Sequence, residues 1–550
     1  MRMLRAIVAT IALLLWSGCV TGEGMAPRGV LSVSVEQQST WIRAFNPLAP
    51  GEARWPTRAG IYEPLMVHNA VKGAWVPWLA TGYRWSDDLL TLTFDIREGV
   101  KWSDGRPMTA ADVAYTFALL KRFPALDGGG LWSFLASVSA PNATMVELRL
   151  SRVYVPSLAL IASVPVVPEH VWSKVADPVT FTNPDPVATG PFTVVRSFSN
   201  QMYELGRNPN YWQSGKPKVE ALRFLAYPSN DQANLALVEG SVDWAGNFVP
   251  AIDRTFVSRD PAHNGYWFPL MGSTVFLYAN TTRKPFDDVR VRRALSLSID
   301  RAKVADLAMY GTTVPSGPTG LSDGYAGWRT ELGPAENWTR FDVAEANRLL
   351  DEAGLARGAD GMRRDAKGAP LTFEIGVVAG WSDWVRAAQL IARGLQEVGV
   401  EAKVRPSEFS AWFSSLQRGE FDLAVSWSTD GPTPYAFYRW LMAPATVLPV
   451  GEVSPGNWHR FGDDEAGRLL EQFEQTAYEA KQRSIVEGLQ HRFAATLPAI
   501  PLFPGPQWAA FTTRRFTGFP TKENPYASPS PNAGGASLLV LTELQPVEAP

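Results

Sequence analysis

An α/β architecture is the fold class this sequence predicts, on three observations. Between residues 371 and 427 an alternating apolar pattern passes into a helical one and back, twice over; the chain is 550 residues long; and 46% of it is hydrophobic against 19% charged. Strand, helix, strand, helix, strand is the order of an α/β layer with a mostly parallel sheet. The length and the apolar content call for two or more packed cores and argue against wholesale disorder.

The elements follow in chain order. Val30 to Glu36 alternates as a strand and ends at Gln37-Gln38-Ser39-Thr40-Trp41. Thr109 with Asp112 forms a capping box just after Pro107, and Val113, Phe117 and Leu120 then share one face, which predicts a helix from about 110 to 121. A further helix starts near Asp288. Asp342 with Glu345 caps another, with Leu349, Leu350 and Ala353 as its apolar stripe and Gly354 at its end.

Leu371, Phe373, Ile375 and Val377 alternate as a strand. Val385, Ala388, Ile391, Leu395 and Val398 mark a helix stopped by Gly399, and Val400 to Val404 alternates again. Phe409 to Leu416 is helical, and Phe421, Leu423 and Val425 lead to Trp427. Leu538 to Leu541 reads as a terminal strand after Pro-rich punctuation at 525–531. Ligands of α/β sheets collect beyond the carboxyl ends of the strands, where loops and helix N-termini offer free polar groups. Trp381 and Trp427 both stand just past such ends, as ligand-facing rings or as core packing.

Composition narrows the chemistry. Lys+Arg 51 against Asp+Glu 54 gives a net charge of -3 and no field for nucleic acid. One cysteine and five scattered histidines offer no metal-ligand spacing, so neither metal nor cofactor is expected. The P-loop, H-E-x-x-H and G-x-S-x-G patterns are missing, and no catalytic residue is assigned. Tryptophan is unusually frequent, 21 in 550.

Arg2 and Arg5, the apolar run Ala6 to Leu15, and Ser17-Gly18-Cys19 together have the three parts of an export signal. The last part resembles the lipobox of bacterial lipoproteins, with Trp16 where the pattern usually has Leu. That resemblance implies a signal peptide over 1–18, lipidation of Cys19, a linker over 19–29, and a folded part held at a membrane surface outside the cytoplasm.

Five ordered stretches resemble the extracytoplasmic solute-binding proteins of ABC importers in the oligopeptide, dipeptide and nickel class. They are Ile61-Tyr62-Glu63-Pro64-Leu65; Phe94 to Gly105 with Met108 to Val113; Thr189 to Phe192 with Arg207 to Trp212; Asn280 to Phe286; and Val289 through Arg301. The resemblance implies a two-lobed periplasmic-binding-protein (Venus-flytrap) fold that closes by a hinge around its solute and delivers it to a membrane permease with separate ATPase subunits, as a monomer. Its first lobe would comprise 30–272 and 495–550, with an extra subdomain inserted near 66–185, and its second lobe 273–494.

Two solute classes stay open. Trp427-Ser428-Thr429-Asp430-Gly431-Pro432-Thr433-Pro434-Tyr435 is similar to the acidic segment of the peptide-binding branch, but Thr433 replaces the second acid. Segments around Trp244, Tyr435, Trp458 and Tyr526 look more like the branch that binds cellobiose-type oligosaccharides. A sugar ring presents an apolar C–H face and a rim of hydroxyls, which suits a stacked tryptophan beside polar side chains. The expected ligand residues are Trp41 with Asn46, Trp244 with Asn247, Trp381, Trp427 with Asp430, Tyr435, Trp458 and Trp508. Oligosaccharide is the preferred ligand, oligopeptide the alternative and a carbohydrate-active enzyme the remote one.

Overall fold

The computed structural model describes residues 27–35, 39–49 and 60–548; the export signal, Cys19 and the linker up to residue 26 lie outside the described residues. Two large mixed sheets form the cores of two lobes, and the chain passes between them twice.

The first lobe holds a seven-stranded sheet, ordered Asn264–Tyr266, Ala510–Thr512, Trp244–Ala245, Val30–Ser34, Ala221–Leu225, Met202–Arg207 and Phe192–Phe198. Val30–Ser34 is central and buried along its whole length, as a strand covered on both faces must be. It runs parallel to Ala221–Leu225 and to Trp244–Ala245, so three carboxyl ends share one edge. A four-stranded antiparallel sheet, from Ala80–Trp85, Thr91–Ile96, Met145–Leu150 and Leu135–Asn142, forms an inserted subdomain. Its helix, Ala110–Arg122, starts at the expected capping box: the Thr109 side chain accepts from the Ala111 amide, while the Asp112 carboxylate accepts from the Thr109 amide.

The second lobe holds five strands in the order Glu401–Ser407, Thr372–Val378, Leu423–Trp427, Thr274–Ala279, Ile500–Pro504. The first three are parallel and are joined by the helices Ser382–Glu397 and Phe409–Arg418, as their sequence pattern predicts. Thr274–Ala279 alone runs the other way, antiparallel to both of its neighbours, Leu423–Trp427 and Ile500–Pro504, so the sheet is mixed with four of its five strands in one direction. Thr274–Ala279 follows the outward crossing and Ile500–Pro504 precedes the return one, so the two run in opposite directions side by side.

Ile500–Pro504 also corrects the expectation that the first lobe resumes at 495, because this strand pairs with Thr274–Ala279 in the second lobe. The return crossing therefore lies at 505–509, beside the outward one at 267–273. The Trp267 amide donates to the Ala509 carbonyl, Gln507 to Pro269 and Gly505 to Ser273, at 3.0 to 3.1 Å. The two backbones are so close that a Cβ on Gly505 would stand 2.4 Å from the Ser273 oxygen, and one on Gly272 2.7 Å from the Gly505 oxygen. Leu538 to Leu541 belongs to a short helix, Ser537–Leu541, and not to a strand; burial of Leu538, Val540 and Leu541 accounts for its apolar run in either geometry.

Candidate functional site

The two sheets aim the carboxyl ends of their parallel strands at one another. Just past Ala221–Leu225, the Asn230 amide donates to the carbonyl of Gly380, just past Thr372–Val378, at 3.1 Å. The Asn230 side chain donates to Asp383 Oδ1 at 3.3 Å. Burial raises the Asp383 carboxyl to about 6, a desolvation that outweighs the hydrogen bonds it accepts. Gly380 is needed here, since a Cβ would come within 2.6 Å of the Pro228 carbonyl oxygen.

Three aromatic rings stand at the second lobe's edge, one past each parallel strand. Trp381 follows Thr372–Val378, Phe409 follows Glu401–Ser407, and Trp427 ends Leu423–Trp427. All three are half-buried. Trp427 lies 5.9 Å from Trp381 and is stacked parallel to Phe409 at 6.4 Å, while Trp381 and Phe409 are 5.8 Å apart. Trp384, Trp412, Phe413 and Trp458 pack against Trp427 from behind. Such ring pairs contribute roughly 0.5–1.5 kcal/mol each beyond burial, so the wall is held stiffly.

Polar groups flank the wall. The Ser428 hydroxyl is buried and has no partner among the described residues. Asp430 is open to the water of the gap, yet closely surrounding protein raises its carboxyl above the usual carboxylate range by desolvation. No ion pair compensates it among the described residues. Tyr325 lies against the same turn; burial, reinforced by the Asp430 charge, holds its phenol well above the ordinary range. From the first lobe, Asn247 stands just past Trp244–Ala245. Its amide donates to Asn234 Oδ1 at 2.8 Å, and its own buried Oδ1 has no partner among the described residues.

Of the residues expected to meet ligand, the structure groups Trp381, Trp427 and Asp430 at the second lobe's edge and Asn247 at the first lobe's edge. Several others are occupied elsewhere. Asn46 is a turn clamp: its Nδ2 donates to the carbonyls of Pro178 and Phe181, and its Oδ1 accepts from the amides of Leu48 and Ala49. Trp41 is buried edge-on to Tyr203, 5.1 Å away, so it does not pair with Asn46 around a sugar. Trp244 is 1% exposed and donates its indole N–H to the Pro529 carbonyl. Trp458 is equally buried, bonded to the Ser454 carbonyl, and serves as backing for Trp427. Tyr435 is buried and donates to Glu474. Trp508 is half-buried on the return crossing, wedged between Phe248 and Phe268 at 5.4 and 4.9 Å. Sequence reasoning missed Phe409, Asn230, Asp383 and Tyr325. Phe409 had a legible signal, its place directly after a strand; the other three meet their partners across long sequence separations and left none.

Among the described residues no group of three or more His, Cys, Asp or Glu side chains is arranged to hold a metal ion. None of their helices is long and apolar enough to cross a membrane.

Residues 74–447 match the model of the bacterial extracellular solute-binding proteins, family 5 Middle. The chain is 27% identical over 458 residues to the nickel-binding periplasmic protein of Escherichia coli, covering 80% of this chain and 83% of that one. It is 24% identical over 464 residues to di/tripeptide-binding protein 1 of Pseudomonas aeruginosa, covering 78% and 80%. Among solved structures it is similar to a mannohexaose-bound periplasmic oligopeptide-binding protein of an oligopeptide ABC transporter from Thermotoga maritima, with a TM-score of 0.87, 24% identity, and coverage of 96% of this chain and 100% of that one. The chain belongs to the family 5 extracellular solute-binding proteins. It is thus the extracytoplasmic substrate-binding component of an ABC importer, with the two-lobed fold of that family.

Proposed function

We propose that the protein captures an oligosaccharide between its lobes and delivers it to the permease. The observation that carries this reading is the wall of Trp381, Phe409 and Trp427, half-buried and packed ring against ring, with Phe409 and Trp427 parallel, at the edge that faces the first lobe. Flat rings match the C–H faces of pyranoses, and the unpartnered Ser428 hydroxyl and Asn247 Oδ1 match sugar hydroxyls. The mannohexaose held by the Thermotoga maritima protein supports the same class. Closure follows from the ligand's better contact with the closed form, with no chemical step. Cys19, as a lipidated residue, would tether the protein to the membrane.

One observation favours a peptide. The Asp430 carboxylate, open to the gap and without a cation among the described residues, suits the amino terminus of a peptide as well as it suits a sugar hydroxyl. Names of relatives such as the di/tripeptide-binding protein point the same way.

Fluorescence titration separates the readings. Manno- or cellohexaose should shift the tryptophan emission saturably. Trp381→Leu, which keeps apolar bulk but loses the flat face, should weaken that binding by roughly threefold to tenfold. A shift with tri- to pentapeptides and none with any glycan would establish the peptide reading instead.

A further inference from the structure

Away from the aromatic wall, the inserted subdomain of the first lobe touches the second lobe through a compact set of side chains. Arg152, Tyr154 and Val155 follow the subdomain strand Met145–Leu150; Tyr435 opens the second-lobe helix Tyr435–Met442, and Glu474 ends Asp464–Glu474. Glu474 is the hub. Its Oε2 accepts from Arg152 at 2.5 Å, its Oε1 from the Tyr435 hydroxyl at 2.6 Å, and its backbone carbonyl from the Val155 amide at 2.8 Å. The Tyr154 and Tyr435 hydroxyls are 3.4 Å apart.

Rings continue the contact through both lobes. Phe134 packs on Tyr154 at 4.7 Å, Tyr154 on Tyr435 at 6.3 Å, and Tyr435 stacks on Phe473 at 5.3 Å. Tyr154 and Tyr435 are 6% and 4% exposed, although they belong to different lobes. None of these rings contacts Trp381, Phe409 or Trp427, so the set lies outside the proposed ligand wall. Opening the gap by separating the subdomain from the second lobe would hydrate two buried phenols and break a charge-assisted pair.

We propose that Glu474 is a positioning residue for solute capture: it joins Arg152 to Tyr435 as a latch that holds a fraction of the ligand-free protein closed. The inference rests on hinge closure but on no particular ligand. Because apparent affinity scales with the fraction already competent to bind, the latch sets affinity without touching solute.

The test uses the mature chain with Cys19→Ser and spin labels at Ser137→Cys and Ser484→Cys, both exposed, one on the subdomain and one on the second lobe. Pulsed dipolar spectroscopy without ligand should resolve a short-distance closed component. Glu474→Gln and Arg152→Gln should each lower the closed-to-open ratio by roughly tenfold, a loss typical of a charged hydrogen bond. The double variant should lose no more than Glu474→Gln, since Arg152 acts through Glu474. A parent with no closed component overturns the proposal, as do single variants that keep the parent ratio while melting earlier, or losses that multiply. None of these outcomes depends on whether the solute is a glycan or a peptide.

Discussion

The amide of Asn230 in the first lobe donates to the carbonyl of Gly380 in the second, 150 positions further along the chain, at 3.1 Å. Each residue stands just past the carboxyl end of a parallel strand, so this bond marks where the carboxyl edges of two separate sheets meet. It also fixes what residue 380 can be.

Gly380→Ala should therefore weaken ligand binding by about tenfold or more with little change in the melt of the ligand-free protein. The new Cβ would lie 2.6 Å from the Pro228 oxygen only when the lobes meet, so its clash falls on the closed form. Calorimetric titration beside a thermal melt checks both halves. Unchanged affinity would place the 228–230 to 380–383 contact outside the closing motion.

At the crossings, Gly505→Ala should lower the stability of the whole protein by roughly 1–3 kcal/mol, because its Cβ would meet the Ser273 oxygen at 2.4 Å. Urea unfolding measures this. Gly451→Ala gives the reference, since it adds a Cβ with nothing within 4 Å, though its φ of +96° carries a backbone cost of its own.

Trp427→Ala should cost about 3 kcal/mol of stability besides abolishing ligand binding, because the ring packs on Phe409, Phe413, Trp412 and Trp458. Trp427→Phe should recover most of the stability. A melt that ignores Trp427→Ala would mean that the wall is not packed as described.

The sequence placed this wall more reliably than it placed its neighbours, and the reason is geometric. Period-two and period-3.6 patterns between 371 and 427 reveal where strands end, and strand ends locate Trp381 and Trp427. Capping signals at Thr109 and Asp342 likewise mark real helix starts, since they depend on contacts three residues apart. Periodicity does not report which face of a tryptophan is covered by distant chain. Trp244 owes its burial to Phe519 and Pro529, and Asn46 its occupation to 178–181. The return crossing escaped for the same reason, because Ile500–Pro504 takes its place from a strand more than 200 residues earlier.

Glu63 supplies a pH prediction. It is buried and accepts hydrogen bonds from the indoles of Trp78 and Trp212 and the Tyr211 hydroxyl, which lower its pKa, but desolvation dominates and raises it from 4.5 to about 7. Raised in the folded state, this carboxyl stabilises fully below about pH 4.5, and its contribution falls away as pH rises through about 7, by an amount on the order of 3 kcal/mol. The stability difference between the parent and Glu63→Gln, measured in urea from pH 4 to 8, should follow that fall. A difference independent of pH would mean that Glu63 stays charged in the fold.

A thermal-shift panel tests the central claim most directly, with manno-, cello- and xylo-oligosaccharides beside di- to pentapeptides on the same preparation. A cognate glycan at about 100 times its dissociation constant should stabilise the protein by ~2.7 kcal/mol and raise its melting temperature, with peptides inert. A rise with peptides and none with any glycan would contradict the account.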